Sequence, residues 1–122
     1  MNKSLNILII LGHPRRDSFS EALADAYKDG AINAQMKVEQ LILEEMSFDP
    51  NVTSLSPRSQ PAEADIVHAQ EMILWADHLV FVYPTWGGTM PALLKGFLDR
   101  VFTPGFAFEE LEETKSWEKL LK

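Results

Sequence analysis

Two segments of this chain, Leu5 to Leu11 and Leu79 to Tyr83, are apolar at nearly every position. Their continuous runs of β-branched, aliphatic and aromatic residues predict parallel strands covered on both faces, since a half-solvated strand would alternate. Val38 to Leu43 predicts a further strand between them in sequence. Elsewhere the apolar positions recur at helical spacing. Phe19, Leu23 and Tyr27 mark one helix, which Gly30 is expected to weaken or end, and Ile66, Ala69 and Ile73 mark a second over Glu63 to Ala76. A third, Pro91 to Phe102, turns Leu94, Leu98 and Val101 inward and pairs Lys95 with Asp99 at four-residue spacing. Met46 to Pro61, with three prolines, reads as a long irregular loop. A last short helix is expected around Trp117 to Leu121, after the solvated acidic run of Glu109, Glu110, Glu112 and Glu113. Strands and helices thus alternate, the pattern of a doubly wound α/β domain.

Composition narrows what such a domain can do. At 122 residues, 46% hydrophobic and 24% charged, the chain makes one globular domain, residues 1–122, with a real core. Its formal charge of -7 argues against nucleic acid and against an anionic membrane surface, both of which need clustered cations. No run reaches transmembrane length. The absence of cysteine removes disulfides, thiol catalysis and thiolate metal sites, and is in keeping with the cytoplasm.

Two loops carry candidate chemistry, each between a strand and a helix. In Tyr83 to Pro91, YPTWGGTMP, Gly87 and Gly88 leave the backbone unhindered, Trp86 adds an aromatic plane, and Pro91 suits a first helical turn. Such a loop fits a flat heteroaromatic ligand that takes backbone hydrogen bonds. A tight turn without a ligand would account for the glycines and Pro91, but not for the Trp. In Gly12 to Glu21, GHPRRDSFSE, Ser18 and Glu21 have capping-box spacing, so a helix begins at Ser18. Its free first-turn N–H groups and dipole attract an anion, with Ser20, His13, Arg15 and Arg16 as further donors. Capping alone would explain Ser18, and an ordinary loop position would explain His13. His68 and His78 receive no role.

The segments LGHPRRDSFS and YPTWGGTMPALLKGFLDRVFTPGFAF together resemble the flavodoxin-like NAD(P)H:quinone oxidoreductases, the DT-diaphorase and modulator-of-drug-activity group. The resemblance implies a parallel sheet of order 2-1-3-4-5, with ligands at the carboxyl ends of neighbouring strands one and three. It implies a bound flavin, FMN or FAD, reduced by NAD(P)H and reoxidised by a quinone-like acceptor. His13, Ser18, Phe19 and Ser20 would hold the flavin's phosphate portion. Pro84, Thr85, Trp86, Gly87 and Gly88 would run along its ring, and Phe106 and Phe108 would wall the substrate pocket. It also implies a cytoplasmic homodimer.

Family members continue past the position of Lys122 with two more strands and a second flavin loop. The expectation is therefore that only the first three strands are present, that strand three lies at a sheet edge, and that the chain self-associates. Three other functions remain open: an accessory subunit of a glutathione-regulated potassium efflux system, a flavodoxin-like electron carrier, and an inactive fragment.

Overall fold

The structure is a computed structural model that describes residues 4–111 and 116–121. Its centre is β1 (Asn6–Leu11), paired in parallel with β2 (Lys37–Ile42) on one side and β3 (His78–Val82) on the other. The strand order is therefore 2-1-3, as expected for the first three strands of the doubly wound sheet. Because side chains alternate across a strand, β1 supplies both cores. Leu8 and Ile10 pack with Ile66, Ala69 and Ile73 of α2 (Ala64–Trp75) and with Leu94, Phe97 and Val101 of α3 (Ala92–Val101). Ile7, Ile9 and Leu11 pack against Ala24 of α1 (Phe19–Asn33) on the opposite face.

Two parts of the chain differ from the pattern read along the sequence. Helix α1 runs through Gly30 and stops only at Ala34. A mid-helix glycine costs about 1 kcal/mol, too little to end a helix that packs on a sheet. The stop is local: Gln35 takes a left-handed φ of 65°, Gln35 N–H bonds Ile32 O at 2.9 Å, and Met36 N–H bonds Ala31 O at 3.0 Å, a Schellman closure. The apolar stripe of α1 also lies outward. Phe19, Leu23 and Tyr27 are exposed, and the helix approaches the sheet through small Ser20 and Ala24.

The expected helix around Trp117 is instead strand β5 (Ser116–Lys119), antiparallel to β4 (Phe108–Leu111). A helix of one turn cannot offset its nucleation cost, whereas pairing with β4 satisfies the backbone of both segments. Leu120 N–H extends the ladder to Ala107 O at 2.9 Å. Glu112 and Glu113 of the acidic run lie outside the described residues.

Strand β3, apolar enough for a central position, is flanked among the described residues by β1 alone, leaving His78 and Phe81 exposed. On α3, Phe97 is fully buried while Leu98 is only partly so. Gly96 lies against the long loop, where Pro50 O would be 2.7 Å from an added Cβ. A 3-10 turn, Leu43–Glu45, leads into that loop, which carries a second, Pro57–Ser59, and seats Phe48 edge-on against Phe97 with ring centroids 6.2 Å apart. No helix among the described residues is long and apolar enough to cross a membrane.

Candidate functional site

The loops after β1 and β3 leave the sheet side by side because the parallel register runs to its carboxyl end. Gly12 N–H donates to Val82 O at 2.8 Å, one step beyond the Leu11–Val82 register pair. Gly12 also lies against α3, where a Cβ would meet Leu94 at 3.0 Å. The next residue, His13, is buried, and its ring stands 5.3 Å from that of Trp86 at an interplanar angle of 80°. The two loops picked out in the sequence are thus in contact.

The first loop ends in the predicted cap. Ser18 has extended backbone, and its Oγ accepts the Glu21 N–H at 3.1 Å. The N–H groups of Phe19 and Ser20, in the first turn, have no intrahelical acceptor and carry the positive end of the helix dipole. The Ser18 and Ser20 side chains are buried beside them, while the Phe19 side chain is 70% exposed.

The basic residues contribute less to an anion site than their sequence position suggested. Arg16 donates through Nε to Glu21 at 2.5 Å and through Nη1 to Glu45, so its charge is already countered. The guanidinium holds the Glu21 carboxyl below the usual carboxylate range, and the same hydrogen bond raises Arg16 above its ordinary value. Arg15 gives its backbone N–H to His13 Nδ1 at 3.0 Å, and its exposed guanidinium bonds Arg16 O at 3.2 Å. With Nδ1 taken up by the Arg15 N–H, Nε2 is the ring nitrogen left to meet a ligand. An anion at this helix start would therefore meet backbone N–H groups, hydroxyls and an imidazole, rather than paired cationic side chains.

The second loop is a two-residue turn. Trp86 and Thr89 exchange both backbone hydrogen bonds, at 2.7 and 3.1 Å, around Gly87 and Gly88. Both glycines have positive φ, 58° and 82°, the geometry of a type I′ turn, which strongly favours glycine. Apart from the adjoining residues of the turn, no described atom lies within 4 Å of where a Cβ would stand on either. Open backbone therefore sits beside an indole that is 48% exposed. Pro84 is half-buried and Thr85 exposed at the start of the loop, and fully buried Pro91 caps α3 at its end.

Phe106 is placed differently. It packs half-buried against the α2–α3 core and lines a cleft of about 640 Å³ with residues 57–62, Gln70, Arg100 and 103–105. None of residues 13–20 or 84–88 lines that cleft. Phe108 opens β4.

Sequence reasoning passed over Arg100. It is 3% exposed, and its guanidinium bonds Asp49 O, Pro61 O and both carboxylate oxygens of Glu63. The signal was available: Arg100 follows Phe97 by three residues, on the inward phase of an amphipathic helix. The clasp fixes the long loop against α3, the helix that springs from the glycine turn.

A family profile described as a flavodoxin-like fold matches residues 5–122. The chain is 33% identical over 114 residues to an uncharacterized NAD(P)H oxidoreductase of Escherichia coli, covering 87% of this chain and 57% of that protein. It is 31% identical over 121 residues to NAD(P)H dehydrogenase (quinone) 1 of Cavia porcellus, covering 83% and 44%. Among solved structures, an NAD(P)H:quinone oxidoreductase from Methanothermobacter marburgensis superposes with a TM-score of 0.78 at 33% identity, over 91% of this chain and 59% of that one. The chain spans about half the length of the curated relatives it matches.

Proposed function

Because this chain belongs to the flavodoxin-like family, we propose that the paired loops hold a flavin and that the protein serves as a flavin-dependent NAD(P)H:quinone oxidoreductase. The observation that carries this reading is the His13–Trp86 contact. It joins an anion-binding helix start to an open-backbone turn at the carboxyl ends of neighbouring strands, where doubly wound sheets bind ligands.

The residues present fit such a group at both ends. Phosphate oxygens match the free N–H groups of Phe19 and Ser20, the Ser18 and Ser20 hydroxyls and His13 Nε2. A ring edge matches Gly87 and Gly88, where a side chain would occupy the approach and none stands. FMN, with its single phosphate, suits the one helix start.

Bound there, a flavin supplies two-electron transfer from NAD(P)H to a quinone-like acceptor. The protein's part is placement. Ser18 and the α1 backbone anchor the anionic end, Pro84 to Gly88 present main-chain hydrogen bonds to the ring, and the Trp86 indole screens it from water. The resemblance assigns Phe106 and Phe108 to the acceptor's wall, but Phe106 lies in the cleft beside α2 and α3, away from both loops, and carries no part of this reading. No described side chain in the two loops is assigned as a general acid or base.

The same reading takes the protein to be a cytoplasmic homodimer, as the resemblance to the quinone oxidoreductases implies. The purified chain titrated with FMN tests the proposal. Saturable quenching of flavin fluorescence and flavin-dependent oxidation of NAD(P)H by a quinone are expected, and failure to bind any flavin counts against it.

A further inference from the structure

His13 and Trp86 are held very differently. His13 is buried although it sits in a loop, and its Nδ1 is clamped by the Arg15 N–H at 3.0 Å. Trp86 leaves nearly half of its surface in solvent, at 48% exposure. The hydrogen bonds of the Trp86–Thr89 turn fix its backbone and do not themselves hold the indole. Beyond the adjoining turn residues, no described atom lies within 4 Å of where a Cβ would stand at Gly87 or Gly88. Among the described residues, the indole's one aromatic neighbour is the perpendicular imidazole of His13.

We propose that His13 is a positioning residue for Trp86. Its imidazole, locked by Arg15, sets the orientation of the indole and so the platform on which a ring rests beside Gly87 and Gly88. His13 then couples the two ends of the site: it organises the ring end even for a ligand with no phosphate. The ligand named here rests on the flavin reading, whereas the His13–Trp86 contact stands without it.

The test uses the whole chain, with FMN and riboflavin as probes, because riboflavin has the same ring and lacks the phosphate. His13→Asn keeps an acceptor for the Arg15 N–H but removes the ring. An edge-to-face aromatic contact of ordinary strength corresponds to about three- to tenfold in affinity. His13→Asn is expected to weaken riboflavin by that factor, and FMN at least as much. His13→Phe, which restores a ring edge but not the acceptor for the Arg15 N–H, should recover riboflavin binding only in part. On a Trp86→Ala background His13→Asn should leave riboflavin affinity within about twofold, because the group it positions is gone.

A second readout needs no ligand. Near-ultraviolet circular dichroism of Trp86, isolated by subtracting the Trp86→Phe spectrum, should collapse in His13→Asn while the far-ultraviolet spectrum stays unchanged. Loss of FMN affinity with riboflavin affinity and the Trp86 signal both intact would overturn the proposal, since His13 would then act on phosphate alone. If the wild-type chain binds neither probe, the flavin reading fails and the Trp86 signal decides: its collapse in His13→Asn upholds the positioning role, and its persistence rejects it.

Discussion

The guanidinium of Arg100 grips the carboxylate of Glu63 through both terminal nitrogens, Nη2 to Oε1 at 2.5 Å and Nη1 to Oε2 at 3.2 Å. The same nitrogens bond Asp49 O at 2.6 Å and Pro61 O at 2.9 Å, and Asp49 N–H bonds Glu63 Oε2 at 2.6 Å. One buried cation thereby closes both ends of the loop from 49 to 63. Arg100→Met should destabilise the fold by roughly 3 kcal/mol, the low end for breaking a buried pair, because Glu63 is partly exposed and can rehydrate. Urea denaturation measures this, and a loss well under 1 kcal/mol would show that the loop closes without the clasp.

Glu63 also dictates an acid response. Hydrogen bonds from Arg100 and then from Asp49 N–H hold its carboxyl at about 2 against an ordinary 4.5. Between those values the unfolded chain binds the proton that the folded chain refuses, so stability rises with pH across the window. The contribution is complete above about pH 5 and is lost as pH falls towards 2. The stability difference between wild type and Glu63→Gln should accordingly be flat above about pH 5 and shrink below it. A difference that stays constant to pH 3 would place the Glu63 proton elsewhere.

Two helical glycines should respond to alanine with opposite signs. At Gly30 nothing lies within 4 Å of an added Cβ, so Gly30→Ala should stabilise by about 0.8–1 kcal/mol through helix propensity. At Gly96 the new methyl would press on the Pro50 backbone, 2.7 Å from its carbonyl oxygen. Overpacking of this kind costs about 1–3 kcal/mol and should outweigh the same propensity gain. Thermal denaturation of the two variants side by side checks the contrast.

Ser18→Ala removes the acceptor for Glu21 N–H and should cost about 0.5–2 kcal/mol of stability. On the proposed reading it also removes a phosphate donor, so FMN affinity should fall while riboflavin affinity holds. Equal loss for both ligands would mean that the helix start acts on the ring end instead.

Gly87→Asn probes the turn without breaking it. Asparagine tolerates left-handed backbone and is favoured at the first central position of a type I′ turn, so folding should be preserved. The added side chain enters the open approach, and flavin affinity should drop about tenfold or more, against a stability change within about 0.5 kcal/mol. Calorimetric titration and thermal melts separate the two effects; undiminished affinity would put the ring on another surface.

The order of elements from β1 to α3, the three parallel strands, the Ser18 cap and the two candidate loops were all legible in the chain itself. Each is written in local terms: a continuous apolar run, a capping box, a Gly-Gly pair beside an aromatic residue. The Lys95–Asp99 pair, at 2.5 Å, was legible for the same reason. Pairings between segments were not. That Arg16 is taken up by Glu45, that Arg100 reaches back to Glu63, and that His13 meets Trp86 depend on how loops fold over the sheet, and no local spacing encodes them.

The misread elements share that cause. Helix α1 shows an apolar stripe that periodicity alone assigns to a core, yet its buried contacts run through Ser20 and Ala24. The segment after Trp117 is too short for its pattern to choose between helix and strand, and the choice fell to whichever neighbour could satisfy its backbone, here β4. Local sequence determined the elements from β1 to α3 and singled out the two loops that leave neighbouring strands. Only the tertiary structure decided which charges remain free and which aromatic rings touch, because both depend on partners far along the chain, brought close by burial of the shared sheet.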